Sequence, residues 1–105
     1  MKAEPLVVTA SGYARCLPSQ ATHLRLNMPG PLPTRIIPVK SEFSQWSWNG
    51  SVDAPTLAPS ILTKGRDEKG EHVCHSFIKN GKVEFLSDCS HEYAGRIVDL
   101  LDIDE

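Results

Sequence analysis

The chain of 105 residues lacks long hydrophobic runs, since no apolar stretch approaches the roughly 20 residues of a membrane-spanning helix. Its start, MKAEPLVVTA, is interrupted by Glu4 and Pro5 and makes a poor secretory signal. A phosphate-binding loop, a helix-turn-helix pattern and a basic stripe are also missing, and the net charge is −2. We therefore expect no membrane association and no nucleic-acid partner.

Cysteine is scarce as well. The three cysteines are an odd number without the spacing of a small secreted protein, which argues against a disulfide framework and for a reducing compartment. The sequence therefore predicts a cytoplasmic protein. Its length predicts one domain that spans residues 1–105.

Long helices are excluded from the first half, where most of the eight prolines lie. The short runs between them, LVVT, HLRLN, RIIPV, EFSQWSW and SILTK, predict strands, with Pro38 at an edge or a bulge. The charged segment TKGRDEKGEH, residues 63–72, predicts a solvated loop. The expected fold is mainly β: a small antiparallel sheet with a C-terminal hairpin and at most one short helix.

The hairpin is predicted at residues 72–88, where Asn80-Gly81 separates two β-rich runs, VCHSFI and VEFLSDC. A type I′ turn at this pair would fix the register along the hairpin and place Cys74 opposite Ser87. For the tail, one interpretation is a helical turn from Ser90 to Gly95 followed by a strand at RIVDL. A continuous amphipathic helix is the alternative.

On the predicted register, one face of the hairpin carries two thiols and two imidazoles. Cys74 and Cys89 are diagonal neighbours, His72 lies opposite Cys89, and His91 follows two residues later. This donor set suits zinc, provided that a bulge at residues 87–88 curls the ligands around one ion. The alternative is that both cysteines serve as small hydrophobic core residues.

On the other face, His75 is diagonal to Asp88, so that the carboxylate could hold the tautomer of the imidazole for acid-base catalysis. The alternative is a buried histidine satisfied by a hydrogen bond. Ser60 lacks a G-x-S-x-G context, and we expect it to cap a loop rather than to act as a nucleophile. Trp46 and Trp48 alternate as on a strand, and Trp46 is expected to be buried.

Three blocks, WSWNG, APTLAPSIL and VCHSFIKNGKVEFLSDCSHEYAG, together resemble a family of small phage and prophage proteins of unknown function. Some members carry the label ammonia monooxygenase, which does not suit a chain without a membrane span. The resemblance covers residues 23–101 and implies a zinc site in which a C-P-G-C knuckle joins the later cysteines. Met28 and Pro31 stand where the knuckle has its cysteines, and neither residue can replace a thiolate. Either such a site is empty, or His72 and His91 complete it.

These observations leave three functional hypotheses. The first is a β-rich binding or accessory protein of phage type that acts on a protein partner in the host cytoplasm. The second is a metal-dependent hydrolase in which His75, Asp88 and His91 surround an ion that activates water. The third is a structural component of a particle.

Overall fold

Two antiparallel sheets form the protein in the computed structural model, which describes residues 1–29, 34–40, 46–68 and 70–103. The predicted mainly β class is confirmed. The first sheet has the order β2-β1-β3-β4. Its strands are β1 (Ala3–Thr9), β2 (Gly12–Arg15), β3 (His23–Asn27) and β4 (Thr34–Pro38), and a 3₁₀ turn (Pro18–Gln20) joins β2 to β3. Pro38 ends an edge strand, as expected for a residue without a backbone N–H.

The second sheet is a meander, in which each strand pairs with the next one along the chain. Its strands are β5 (Ser47–Trp48), β6 (Leu57–Asp67), β7 (Gly70–Lys79), β8 (Lys82–Phe85) and β9 (Ile97–Asp99). The predicted strand EFSQWSW is described only from Trp46 onwards, because residues 41–45 lie outside the described part of the chain. The long central hairpin β6–β7 carries Ser60 on one strand and His75 on the other.

The facing sides of the two sheets share one hydrophobic core. Its fully buried members include Leu24, Leu26 and Ile37 from the first sheet and Ile61, Ile78, Val83 and Phe85 from the second. Trp46 and Trp48 are half-buried and pack against this core, so Trp46 is less enclosed than the sequence led us to expect. Among the described residues, none belongs to a helix of the length and hydrophobicity needed to cross a membrane.

The hairpin at Asn80-Gly81 is confirmed. Both residues have positive φ, 50° and 76°, as a type I′ turn requires, and the predicted pairs run from Lys79–Lys82 to Ser76–Phe85. Beyond Phe85 the predicted pairing of Cys74 with Ser87, and of His72 with Cys89, is wrong. The chain instead turns at residues 87–88, where the N–H of Cys89 bonds to the carbonyl of Leu86.

The predicted loop at residues 63–72 is also wrong, because these residues form the ends of β6 and β7. They pair from Thr63–Cys74 to Asp67–Gly70, which leaves a connection of two residues. β8 pairs only with Ser76–Lys79, so that the end of the hairpin extends beyond its neighbour as a two-stranded arm. A strand pair whose residues are mostly exposed needs no alternation of apolar and polar residues. The charged sequence of these residues therefore did not predict strands.

In the tail, the turn followed by a strand is confirmed, and the continuous helix is wrong. Residues 92–95 form a turn that ends at Gly95 with φ of 77°, and β9 then pairs with β8. The turn brings His91 against the ring of Phe85, with centroids 4.9 Å apart. His91 therefore lies on the side of the second sheet that faces the core.

Candidate active site and thiol cluster

Ser60 lies in an irregular stretch of β6. Between the pairs Leu57–Ile78 and Ile61–Ser76, β6 advances four residues while β7 advances two, so the register shifts at this point. Trp46 donates a hydrogen bond of 3.4 Å from Nε1 to the Ser60 carbonyl and so anchors the backbone there. Ser60 thus lies inside a strand rather than at the end of a loop.

The hydroxyl of Ser60 contacts the catalytic histidine candidate. Ser60 Oγ lies 2.9 Å from His75 Nε2, across the β6–β7 pairing. His75 is paired with Leu62, so Ser60 is its diagonal neighbour on the same face of the sheet. The expectation that Ser60 is only a capping residue is therefore wrong.

The other nitrogen of the same ring meets Asp88. His75 Nδ1 lies 3.1 Å from Asp88 Oδ2, as expected from the hairpin, although Asp88 reaches it from the turn that follows β8 rather than from a longer strand. The side chain of His75 is 25% exposed and that of Asp88 is 59% exposed. The imidazole is thus sheltered but accessible, and its carboxylate partner lies at the surface.

One tautomer satisfies both contacts. With its proton on Nδ1, His75 donates to the Asp88 carboxylate and leaves Nε2 free to accept the Ser60 hydroxyl proton. A serine, a histidine and an aspartate in this order form the hydrogen-bonded line that activates a serine oxygen as a nucleophile. The geometry therefore supports nucleophilic catalysis.

Cys89 fixes the backbone behind this line. Its Sγ accepts a hydrogen bond from the N–H of His75 at 3.2 Å and donates one to the His75 carbonyl at 3.1 Å. The next residue, Ser90, bonds to both backbone groups of Val73. Because Cys89 follows Asp88 directly, the same contacts that hold the turn against β7 also position the carboxylate.

The thiol cluster, Cys74, Cys89 and His91, lies on the opposite face of β7 from the His75 ring. One ligand atom from each of these residues lies within 4.8 Å of the others, so the group could hold a metal ion. Burial, together with the neighbouring Cys89, raises the pKa of Cys74 to about 11, against the opposing charge of Arg35. Burial also lowers the pKa of His91.

His72 does not join the thiol cluster. It pairs with Gly65 in the arm, where no β8 residue lies opposite, so the predicted neighbour Cys89 is not beside it. The three residues of the metal-dependent hydrolase are not brought together either. His91 lies with the cysteines, whereas His75 and Asp88 contact each other.

Three buried polar side-chain atoms lack a hydrogen-bond partner within the described part of the chain: Arg35 Nε, Ser76 Oγ and His91 Nε2. His91 belongs to the thiol cluster, Ser76 lies two residues from Cys74 on the same face, and the charge of Arg35 acts on Cys74. An unpaired buried nitrogen costs free energy. The position of His91 Nε2 is therefore consistent with a ligand at this cluster.

The comparison with protein families agrees with the serine site. Residues 21–86 match the model of a family described as the serine protease of a bacterial ubiquitination-like system, BubE. The chain belongs to the BubE family. The matched region contains Ser60 and His75, and it ends two residues before Asp88. The BubE description mentions neither phage nor ammonia monooxygenase, so the expected phage origin stays a prediction. No curated protein and no solved structure matches the chain.

Proposed function

We propose that this BubE family member is a serine protease in which Ser60 is the nucleophile, His75 the general base and acid, and Asp88 the residue that orients His75. The observation that carries the proposal is the continuous line Ser60 Oγ, His75 Nε2, His75 Nδ1 and Asp88 Oδ2, with contacts of 2.9 and 3.1 Å. The family description supports the same chemistry.

Acylation follows from this arrangement. His75 Nε2 takes the hydroxyl proton of Ser60 as Oγ forms a bond to the carbonyl carbon of the substrate. The imidazolium is stabilised by Asp88 at Nδ1. The C–N bond of the substrate then breaks, the amine leaves with the proton from Nε2, and the acyl group remains as an ester on Ser60.

Deacylation repeats the steps with water. His75 Nε2 takes a proton from the water as its oxygen attacks the ester carbon, and then returns a proton to Ser60 Oγ as the C–O bond to the enzyme breaks. The carboxylic acid leaves and the three side chains return to their starting protonation states. The exposure of the site, with Asp88 at the surface, leaves water free access.

A fluorophosphonate probe tests the nucleophile, since it forms a covalent bond to an activated serine oxygen. We expect labelling of the parent at Ser60 and its complete loss in Ser60→Ala and in His75→Ala. Ser47→Ala, at an exposed serine of β5, is the matched control and should label as the parent does. An unlabelled parent, or equal labelling of Ser60→Ala, would contradict the proposal.

A second part of the proposal concerns the thiol cluster: we infer that it holds a zinc ion. Two sulfur donors and one imidazole suit this ion, and the unpaired buried Nε2 of His91 marks the site. When bound, the zinc would supply a cross-link between β7 and the turn at residues 86–91.

Zinc content of the purified protein tests this assignment separately from activity. Cys74→Ser, Cys89→Ser and His91→Ala should each lower bound zinc, and chelation should lower the melting temperature of the parent. Cys16→Ser and His72→Ala are the matched controls, since neither residue belongs to the cluster, and they should retain the metal. Metal-free parent protein, or loss of zinc in His72→Ala, would overturn the assignment.

The proposal retains the cytoplasmic location and the protein partner expected from the sequence. A protease acts on a polypeptide, and free thiols are typical of a reducing compartment. The three cysteines are all unpaired in the structure. In this proposal the accessory role is that of a protease, and the protein partner is its substrate.

A further inference from the structure

Within the described part of the chain, no strand pairs with the outer edge of β6 beyond Ser60. β5 pairs only with Leu57 and Ala58, whereas β6 continues to Asp67. At Trp46 the chain leaves this sheet, because the N–H of Trp46 bonds to the carbonyl of Pro38 on β4. The nucleophile therefore stands where the neighbouring strand ends and the uncovered edge begins.

Among residues 1–29, 34–40, 46–68 and 70–103, this edge of β6 presents backbone groups without partners in a regular pattern. Val73 and His75 direct their N–H and carbonyl groups towards Ser90, Leu86 and Cys89, away from β6. In an antiparallel ladder the residues opposite such a pair also point outward, so Leu62 and Lys64 direct their backbone groups to the open side. By the same alternation Arg66 does so too. All three residues are exposed, and their backbone groups have no partner among the described residues outside the ladder.

Two cavities lie along β6, one on each side of Ser60. The one before it measures about 260 Å³ and is lined by Ser47, Trp48, Asn49, Thr56, Leu57 and Ala58. The one after it measures about 470 Å³ and is lined by Lys64, Gly65, Arg66, Glu71, His72 and Val73. An extended chain that follows the open edge would pass both the nucleophile and the larger cavity.

We propose that the substrate is an extended polypeptide segment that binds as an additional β-strand on the edge of Leu62, Lys64 and Arg66. This inference rests on the proposed function and names its substrate class. An added strand runs about 4.8 Å from its neighbour, and one that begins opposite Leu62 starts two residues from Ser60 along β6. Backbone hydrogen bonds supply the affinity of such a strand, and pockets for alternate side chains supply its specificity.

The test removes one backbone donor without disturbing the ladder. Lys64→Pro deletes an N–H that points outward, so the hydrogen bonds between β6 and β7 remain. The measured quantity is the rate of cleavage of an unstructured peptide library, followed by mass spectrometry and divided by the rate of fluorophosphonate labelling. We expect this ratio to fall by about tenfold or more, since a lost hydrogen bond and a blocked edge act together. Arg66→Pro is the second variant and should act in the same direction.

Ile97→Pro is the matched control. Ile97 lies on β9, the other edge of the same sheet, and its ladder position also directs the N–H outward because Val83 and Val98 form the bonded pair. This variant should keep the parent ratio. An unchanged ratio in both Lys64→Pro and Arg66→Pro would overturn strand addition. A parent that labels at Ser60 but cleaves no library peptide would overturn the peptide class alone, whereas an unlabelled parent would overturn the proposed function itself.

Discussion

At the scale of single residues, Asp88 is the most exposed of the three side chains in the proposed catalytic line. Its carboxylate is held by the position of the turn rather than by burial, and Cys89 supplies that position through two hydrogen bonds to the backbone of His75. Water competes for an exposed carboxylate, which weakens its electrostatic effect. The contribution of Asp88 should consequently be mostly the choice of the His75 tautomer.

Asp88→Asn tests this contribution. The amide can donate to Nδ1 and so favour the wrong tautomer, with the proton on Nε2, where it opposes activation of Ser60. We expect peptide cleavage to fall by about 10²- to 10⁴-fold, as is typical when acid-base catalysis is impaired. Asp102→Asn, at an exposed aspartate after β9, should cleave at the parent rate. A loss below threefold in Asp88→Asn would remove Asp88 from the mechanism.

The sequence could predict the contact between His75 and Asp88, but not the contact between Ser60 and His75. The former follows from one hairpin whose Asn-Gly turn fixes the register. The latter depends on the register of β6 against β7 and on the irregular stretch between Leu57 and Ile61. A search for local sequence motifs does not find such a site, because the serine and the histidine lie on two paired strands and are 15 residues apart in the sequence.

At the scale of elements, the Asn80-Gly81 turn packs against the segment between β5 and β6, where the N–H of Gly81 bonds to the carbonyl of Pro55. A Cβ atom at Gly81 would lie 3.2 Å from the carbonyl oxygen of Asp53 and 3.3 Å from the Cα of Ala54. The glycine also has φ of 76°, which other residues adopt only with strain. Both the conformation and the space at this position therefore require glycine.

We expect Gly81→Val to lower the free energy of unfolding by about 1–3 kcal/mol or more, since a β-branched residue at positive φ adds strain to the close contact. Chemical denaturation measures the change. Gly65→Val is the matched control in the arm, where a Cβ meets nothing within 4 Å, and it should change stability by less than about 0.5 kcal/mol. Equal stability of Gly81→Val and the parent would contradict the turn assignment.

The sequence predicted those strands that bury one face in the core. HLRLN alternates and became β3, whose Leu24 and Leu26 are fully buried. Most residues at the end of the arm of β6 and β7 are exposed, so its polar residues resembled a loop. All three members of the thiol cluster were predicted from the sequence. The bulge that the prediction required at residues 87–88 corresponds to the turn at these residues in the structure. His72 was misplaced because that turn ends the ladder before reaching it.

At the scale of the whole molecule, the stability should depend on pH through Glu4. This side chain is 7% exposed and lies between Arg15 and Arg25, with contacts of 2.7 and 2.8 Å. Burial acts to raise the pKa of Glu4, but the hydrogen bonds and charges of the two arginines together hold it below its usual value of 4.5. A lowered folded pKa contributes stability that is present above pH 4.5 and is lost as the pH falls through the folded value.

Glu4→Gln should therefore reduce the melting temperature at neutral pH and flatten its decline below about pH 4.5. The arginines lose their counter-charge in this variant, and the amide does not titrate. Melting curves between about pH 3 and 7 measure both effects. Glu68→Gln, at an exposed glutamate next to β6, should follow the parent curve. Parallel curves for Glu4→Gln and the parent would show that Glu4 does not govern acid stability.

The meander of the second sheet has a consequence for how the proposed catalytic line forms during folding. Ser60 and His75 are 15 residues apart, and His75 and Asp88 are 13 apart, so all three are gathered by consecutive hairpins. Short loops close at low entropic cost, and local pairings form before distant ones. The line of Ser60, His75 and Asp88 thus depends on short-range chain closure, while the first sheet contributes mainly the opposite wall of the core. Substitutions in the first sheet can therefore change the stability of the protein without changing the arrangement of the proposed catalytic residues.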